Sequence, residues 1–139
     1  MHIGIITPGF SASEADWCIP ALLDFIHHPP RNITFSIITL RYPHHTTPYS
    51  VYGADVTPLG FAKRAGLWRY MLYRKAIQTL KAIHEQKPFD MLHAFWADEA
   101  GFIAVRAGKQ LKIPAVVSVM GGELVNFPEI DYGHGRSLI

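Results

Sequence analysis

The chain has 139 residues, of which 49% are hydrophobic and 17% are charged. This balance is typical of one globular domain and excludes a disordered chain. The formal net charge of +2 is too small to indicate a nucleic-acid partner, and we expect none. A single cysteine, Cys18, excludes an internal disulfide, and the sequence shows neither a signal peptide nor a membrane-spanning run, so we expect a cytoplasmic protein.

Short apolar runs, several of them rich in β-branched residues, predict five strands. These strands lie at His2–Thr7, Asn32–Leu40, Val51–Pro58, Phe89–Ala94 and Pro114–Val119. We expect Val51–Pro58 to be a short edge strand, because a loop over Arg41–Ser50 precedes it.

Apolar residues at helical spacing predict helices between these strands. The helices run from about Ser13 to His28, from Phe61 to Gln86 and from Asp98 to about Gln110, and Tyr132–Ile139 resembles the beginning of another. Pro20 must lie in the first turn of the first helix or kink it. The alternation of strands and helices predicts an α/β fold, a Rossmann-like three-layer domain with a mostly parallel sheet.

Three predicted loops follow the carboxyl ends of strands, which is where open α/β sheets bind ligands. They are Pro8–Ser13, Phe95–Asp98 and Met120–Glu123. Glycines in the first and third loops would let backbone N–H groups approach a ligand. Ser11 and Ser13 precede a predicted helix N-terminus, which favours anions.

Two further side chains suit a sugar ligand. Trp96 offers a flat apolar face for a sugar ring, and Glu123 offers a carboxylate that accepts hydrogen bonds from hydroxyls. Other interpretations stay open, since glycines after strands often only form turns and a tryptophan near a strand end often belongs to the core.

Several segments resemble glycosyltransferase family 4. Phe89–Trp96 is similar to the family's Asp-Val-Val-His-Ala-His-Trp, and Lys112–Glu123 is similar to its Gly-Ile-Pro-Val-Val-Val-Thr-Val-His-Gly-Gly-Asp. The opening His2–Pro8 is similar to the family's first strand. The resemblance implies that residues 1–139 are the incomplete N-terminal domain of a truncated GT-B fold, with the donor-binding C-terminal domain absent from this chain.

The resemblance also implies a function and a set of site residues. The activity would be retaining, metal-independent transfer of a sugar from a nucleotide-sugar co-substrate to a sugar or lipid-linked acceptor, without a cofactor. The N-terminal domain would chiefly hold the acceptor and face its own C-terminal domain. The implied substrate-binding residues are Gly9, Phe10, Ser11, His93, Trp96, Met120, Gly121, Gly122 and Glu123.

The sequence departs from the family pattern at two histidines. Phe95 replaces the second histidine of His-x-His, and Met120 replaces the histidine before Gly-Gly. Because a thioether cannot donate a hydrogen bond or exchange a proton, we assign no catalytic residue. We expect Glu123 to hold donor hydroxyls in its place, and the alternative function is a non-catalytic nucleotide- or sugar-binding module.

The segment Phe61–Lys87 holds seven of the thirteen basic residues and one acidic residue, Glu85. Its candidate surface cations are Lys63, Arg64, Arg74, Lys75 and Lys81. A basic face interleaved with apolar residues favours an anionic membrane surface, which would place the protein at the inner face of a membrane. The same face also fits a merely solvated helix or an interaction surface.

Eight histidines raise the question of a metal site, and we expect none. His27-His28 and His44-His45 are adjacent pairs, whose side chains point apart in regular structure. The chain has no His-Glu-x-x-His motif, no Gly-x-Gly-x-x-Gly after the first strand and no Gly-x₄-Gly-Lys. These absences disfavour a zinc protease, a dinucleotide dehydrogenase and a P-loop enzyme.

Overall fold

A computed structural model describes residues 1–62, 66–130 and 133. The strands are β1 His2–Gly9, β2 Thr34–Tyr42, β3 Tyr49–Val51, β4 Ala54–Pro58, β5 Met91–Phe95 and β6 Ala115–Ser118. The helices are α1 Pro20–His27, α2 Leu67–Gln86 and α3 Glu99–Leu111, followed by a short 3₁₀ helix, Pro128–Ile130.

The strands form one sheet in the order β3-β4-β2-β1-β5-β6. All neighbours are parallel except β3 and β4, which pair antiparallel. This six-stranded, mostly parallel sheet confirms the predicted α/β fold class and is compatible with a Rossmann-like domain. The chain builds outward from β1 through β2 and β4, then returns to the other side of β1 with β5 and β6, so strand order reverses between β1 and β5.

Apolar side chains cover both faces of the sheet. On one face, β1 and β2 contribute Ile6 and Ile38 to a cluster that also contains residues of α2 and α3. On the other face, Ile5 and Ile37 pack with residues of α1. Alternate residues of each strand point to opposite faces, so both sides of these strands are buried.

The first helix begins later than the sequence predicts. α1 begins at Pro20 in the N1/N2 position, where a missing N–H group costs nothing. The preceding segment is held by Asp16, whose Oδ2 accepts hydrogen bonds from the Ala12 N–H at 2.7 Å and from the Tyr42 hydroxyl at 2.9 Å. The prediction that Pro20 can lie in the first turn is confirmed, whereas no helix begins near Ser13, where Asp16 bonds Tyr42 instead.

The prediction of a single edge strand at Val51–Pro58 is also wrong. Tyr52 and Gly53 both have positive φ, 46° and 76°, and form a tight turn that joins β3 to β4. Two positive φ values are the signature of the hairpin turn that matches strand twist. As a result β3 is the edge strand and β4 lies inside the sheet.

The second helix is shorter than predicted at its start. α2 begins at Leu67 after Gly66, while Phe61 and Ala62 are not helical. The Phe61 N–H instead donates to the Leu40 carbonyl at 3.1 Å, which extends the contact with β2. The helix predicted at Tyr132–Ile139 lies outside the described residues, except for Gly133.

The buried face of α2 gives a direct test of the packing. Leu72 is fully buried and Leu67, in the same helix, is 71% exposed. Leu72→Ala should lower the free energy of unfolding by about 2–5 kcal/mol, because it removes buried methyl groups and leaves a cavity. Leu67→Ala should change it by less than about 0.5 kcal/mol. Urea denaturation measures both, and equal effects would contradict the assigned helix face.

Candidate functional site

The carboxyl ends of β1, β5 and β6 lie side by side, since these three strands are adjacent and parallel. We use the name carboxyl edge for the three segments that follow them, Gly9–Ser11, Trp96–Asp98 and Met120–Glu123. The point where strand order reverses, between β1 and β5, lies at this edge. Ligands of open α/β sheets bind at such a point.

Trp96 carries the most unusual backbone at the carboxyl edge. Its φ is 77°, in the left-handed region that a bulky residue adopts rarely and at a cost of roughly 1–3 kcal/mol. The Trp96 N–H donates to the Ser118 carbonyl at 2.9 Å, and the next N–H, of Ala97, donates to Glu123 Oε1 at 2.8 Å. These two bonds to the β6 side hold the strained residue in place.

The Glu123 carboxylate therefore joins two segments of the carboxyl edge. This contact to the Ala97 N–H adds a structural role to the expected one of binding hydroxyls. In the same segment as Glu123, Gly121 is exposed with φ 99°, and a Cβ placed on it would meet no atom within 4 Å. Met120 is 39% exposed beside it. This segment offers backbone groups and an open surface to a ligand.

The first segment is packed much more tightly than the sequence suggests. Phe10 is fully buried, so its side chain belongs to the core and lines no ligand surface. A Cβ on Gly9 would lie 3.2 Å from Tyr42 Cβ, which shows that Gly9 is needed for close packing. The Ser11 carbonyl accepts a hydrogen bond from the Tyr49 hydroxyl at 2.9 Å, and burial raises the pKa of Tyr49.

Two buried hydroxyls, one in the segment after β1 and one within β2, have no hydrogen-bond partner within the described residues. They are Ser11 Oγ and Thr39 Oγ1, and both residues are fully buried. An unpaired buried hydroxyl costs about 1–3 kcal/mol, so a polar group that reached either atom would be stabilising. These atoms extend the polar character of the carboxyl edge beneath its surface.

His93 lies inside a strand, as the sequence predicts, but not at the strand end. It is the third residue of β5, half-buried, with its ring stacked on Phe95 at 4.4 Å and its Nε2 2.8 Å from Ser118 Oγ. Burial lowers the pKa of His93, because desolvation disfavours the charged imidazolium. A largely neutral ring at pH 7 can exchange a hydrogen bond with Ser118, but it sits two residues short of the strand end.

Asp98 caps the helix that follows Trp96. Its Oδ1 accepts a hydrogen bond from the Ala100 N–H at 3.0 Å, as an N-cap residue does. Asp98 as a whole is exposed, yet desolvation of its carboxyl raises its pKa, with smaller raising effects from Glu99 and Glu123. Three carboxylates therefore lie close to one helix start.

An ion pair that the sequence analysis did not predict lies beside the carboxyl edge, next to the end of β2. Arg41, at the end of β2, donates from Nε to Glu99 Oε2 at 3.1 Å, donates from Nη2 to the same oxygen, and donates from Nη1 to the Phe61 carbonyl at 3.0 Å. Arg69 of α2 approaches Glu99 Oε1 at 3.4 Å. The pair links the end of β2 to the first turn of α3, the helix that follows β5, and β1 lies between β2 and β5 in the sheet.

The sequence carried one signal for this pair. Arg41 is a lone charge directly after the apolar residues of β2, and Glu99 lies in the first turn of the helix after β5. Polar residues that follow buried parallel strands lie at the same edge of the sheet. The predicted loop over Arg41–Ser50 placed Arg41 outside β2, which in fact extends to Tyr42.

The candidate basic surface of α2 does not form one face. Arg74 and Lys81 line a cleft of about 350 Å³ between α2 and α3, together with Tyr70 and Arg106. Lys75 instead lines a cleft on the β4 side of the helix. Lys63 and Arg64 lie outside the described residues. The described cations of α2 therefore divide between two surfaces.

Comparisons with known proteins add no identification. No protein-family model matches the chain, and no curated protein matches it significantly. Within residues 1–62, 66–130 and 133, no helix is both long and apolar enough to cross a membrane.

The two arginines around Glu99 make a matched pair of tests. The Arg41 side chain is 10% exposed and the Arg69 side chain 56% exposed, and both contact the same carboxylate. Arg41→Met should lower the free energy of unfolding by about 2–4 kcal/mol, because it leaves a partly buried charge without its main partner. Arg69→Met should change it by less than about 1 kcal/mol, since solvent screens that pair. Similar values for the two variants in urea denaturation would refute the central role of Arg41.

Proposed function

We propose that this chain is the acceptor-side domain of a retaining glycosyltransferase of the GT-B type, and that sugar binds at the carboxyl edge. The observation that carries the proposal is the strained Trp96, held by the contact of Ala97 with Glu123 beside an open glycine segment. Strained residues fixed by their surroundings cluster at functional sites. The position at the strand-order reversal supports the same site.

The chemistry would divide between two domains. Transfer with retention needs stabilisation of a phosphate leaving group and of an oxocarbenium-like anomeric carbon. In this domain, backbone N–H groups near Gly121 and Gly122 are available for anion contacts. Arg41 and Arg69 are engaged with Glu99, so we propose that a C-terminal donor-binding domain supplies most of the cationic support.

A second candidate function is a non-catalytic module that binds a nucleotide or a sugar. Met120, exposed at the carboxyl edge, cannot transfer a proton, and Phe95 is 9% exposed in the core where the family pattern has a histidine. Both observations favour binding without chemistry. A nucleotide ligand would distinguish the candidates, because an acceptor-side domain would bind acceptor sugars, whereas the module could bind a sugar or the nucleotide itself.

The Trp96 side chain is half-buried and packs in part against the core cluster on the α1 face of the sheet, and its exposed part allows ligand binding to be observed directly. In protein labelled with 5-fluorotryptophan, the three ¹⁹F resonances of Trp17, Trp68 and Trp96 are assigned with single Trp→Phe variants. Mono- and disaccharides should shift the Trp96 resonance selectively, since a sugar ring packs on the indole face, and Trp96→Ala should weaken binding about tenfold or more. Trp17, 70% exposed on another surface, is the internal control.

The ligand that binds tests the site and one of the two candidates. Shifts with saccharides but not with nucleotides or nucleotide sugars support the sugar site that the acceptor-side domain requires and exclude a nucleotide-binding module. Shifts with the nucleotide alone support the binding module. If neither saccharides nor nucleotides shift the Trp96 resonance, or if the Trp17 resonance shifts by the same amount, the proposed site is wrong.

We further propose a cytoplasmic protein that associates peripherally with an anionic membrane through α2. Leu67 and Tyr70 are 71% and 61% exposed, and Arg74 and Lys81 flank aromatic side chains in the cleft between α2 and α3. Apolar side chains beside cations suit the interfacial zone of a bilayer. Such binding would bring the carboxyl edge near a lipid-linked acceptor.

Vesicle flotation tests the membrane surface. The protein should float with vesicles containing phosphatidylserine but not with phosphatidylcholine alone, because each basic residue near an anionic surface contributes roughly 1 kcal/mol. Arg74→Gln/Lys81→Gln should reduce the bound fraction severalfold. Arg31→Gln/Lys109→Gln, which removes the same charge from exposed positions outside α2, should leave it nearly unchanged. If both double variants lost the same share of vesicle binding, the binding would depend only on net charge, and the assignment to α2 would be wrong.

A further inference from the structure

A compact group of metal-binding side chains lies at the end of α1, away from the carboxyl edge. Asp24, His27 and His28 each offer one ligand atom, and these atoms all lie within 4.8 Å of one another. Within the described part of the chain, no other group of three histidine, cysteine, aspartate or glutamate side chains meets this condition. Because α1 runs antiparallel to the parallel strands it connects, its last turn lies at the opposite, amino edge of the sheet.

The end of the helix explains why two adjacent histidines converge. His27 is the last helical residue, and His28 has φ −116° and ψ 59°, outside the helical region. The His28 ring turns back, so that Nδ1 lies 3.2 Å from Asp24 Oδ1 and the two imidazole centroids are 4.4 Å apart. The argument that neighbouring side chains point apart holds within a regular helix and fails at this boundary.

The His27 ring is held in place by a stacking contact beside an open cleft. The His27 ring stacks on Tyr52 at a centroid distance of 4.0 Å and an interplanar angle of 24°. Asp24, His27 and Tyr52 line a cleft of about 340 Å³, which Trp17 borders on another side. An ion held by the three side chains would therefore keep an open coordination position toward this cleft.

We propose that Asp24, His27 and His28 form a binding site for a divalent transition-metal ion of the zinc class. Two imidazoles and one carboxylate are the ligand set that Zn²⁺, Ni²⁺ and Cu²⁺ prefer, whereas Ca²⁺ and Mg²⁺ require mainly oxygen ligands. Metal–ligand bonds of about 2.0–2.2 Å put tetrahedral ligand atoms roughly 3.3–3.5 Å apart. Asp24, His27 and His28 are exposed, so small side-chain rotations bring the observed separations to this value.

The expected structural effect of the ion follows from the positions of its ligands. Three ligands within five residues clamp the last turn of α1 onto the segment that leads into β2. Water or a group from a partner completes the coordination from the cleft. The site is independent of the carboxyl edge, so its test does not depend on the proposed sugar transfer.

Isothermal titration of protein without a polyhistidine tag, with ZnCl₂ in a non-coordinating buffer, measures the binding. The wild-type chain should bind one Zn²⁺ at this site, and Zn²⁺ should raise the melting temperature because it binds the folded state. His27→Ala/His28→Ala should weaken binding at least about tenfold and abolish the thermal shift. His44→Ala/His45→Ala is the matched control, since it removes another exposed adjacent histidine pair.

Side-chain spectra of the histidines show where the ion binds if either double variant folds poorly. In the wild-type protein, the His27 and His28 ring signals should respond to Zn²⁺ before those of His44 and His45, and MgCl₂ should produce no response. An unchanged affinity in the His27/His28 variant, a loss confined to the His44/His45 variant, or first response at another histidine would each overturn the proposal.

Discussion

The ion pair between Arg41 and Glu99 sets the geometry of the carboxyl edge. Arg41 lies at the end of β2 and Glu99 begins α3, so the pair links β2 to the helix that follows β5, on the other side of β1 in the sheet. Both side chains are largely removed from solvent, at 10% and 19% exposure, and a charge in that environment must keep its partner. The start of α3 is thereby fixed relative to β2.

The remaining contacts at this edge follow from a fixed α3. Asp98 caps the helix one residue before Glu99, and the chain must turn sharply at Trp96 to enter it. The turn exposes the Ala97 N–H to Glu123, which brings the segment after β6 into the same structure. One side of the edge is thus rigid, while Met120 and Gly121 remain open to a ligand.

The part of the fold that depends on local pattern was predictable. The parallel strands are runs of apolar residues because both of their faces are buried. The alternation of these runs with helices indicated the α/β class. The hairpin at Tyr52-Gly53 was missed because tyrosine gives no sign that it will adopt a positive φ. The late start of α1 was missed because Asp16 bonds Tyr42, a contact that arises only after folding.

The site was predictable in position but not in composition. Parallel strand ends indicated the edge, and Trp96 and Glu123 do lie there. Phe10 was expected to face a ligand, yet it fills the core under α1, because an aromatic side chain after a buried strand gains more from burial. Arg41 and Glu99 are 58 residues apart in sequence, and the cluster of Asp24, His27 and His28 depends on one residue leaving helical geometry.

The location of bound sugar tests the central claim most directly. Backbone amide shifts in a ¹⁵N-labelled chain, recorded during titration with a saccharide that binds, map the contact surface. The account predicts that the largest shifts fall together in Trp96–Asp98 and Met120–Glu123, with smaller changes at Gly9–Ser11, which is packed beneath. Shifts centred on the cleft between α2 and α3, or on the last turn of α1, would contradict a ligand site at the carboxyl edge.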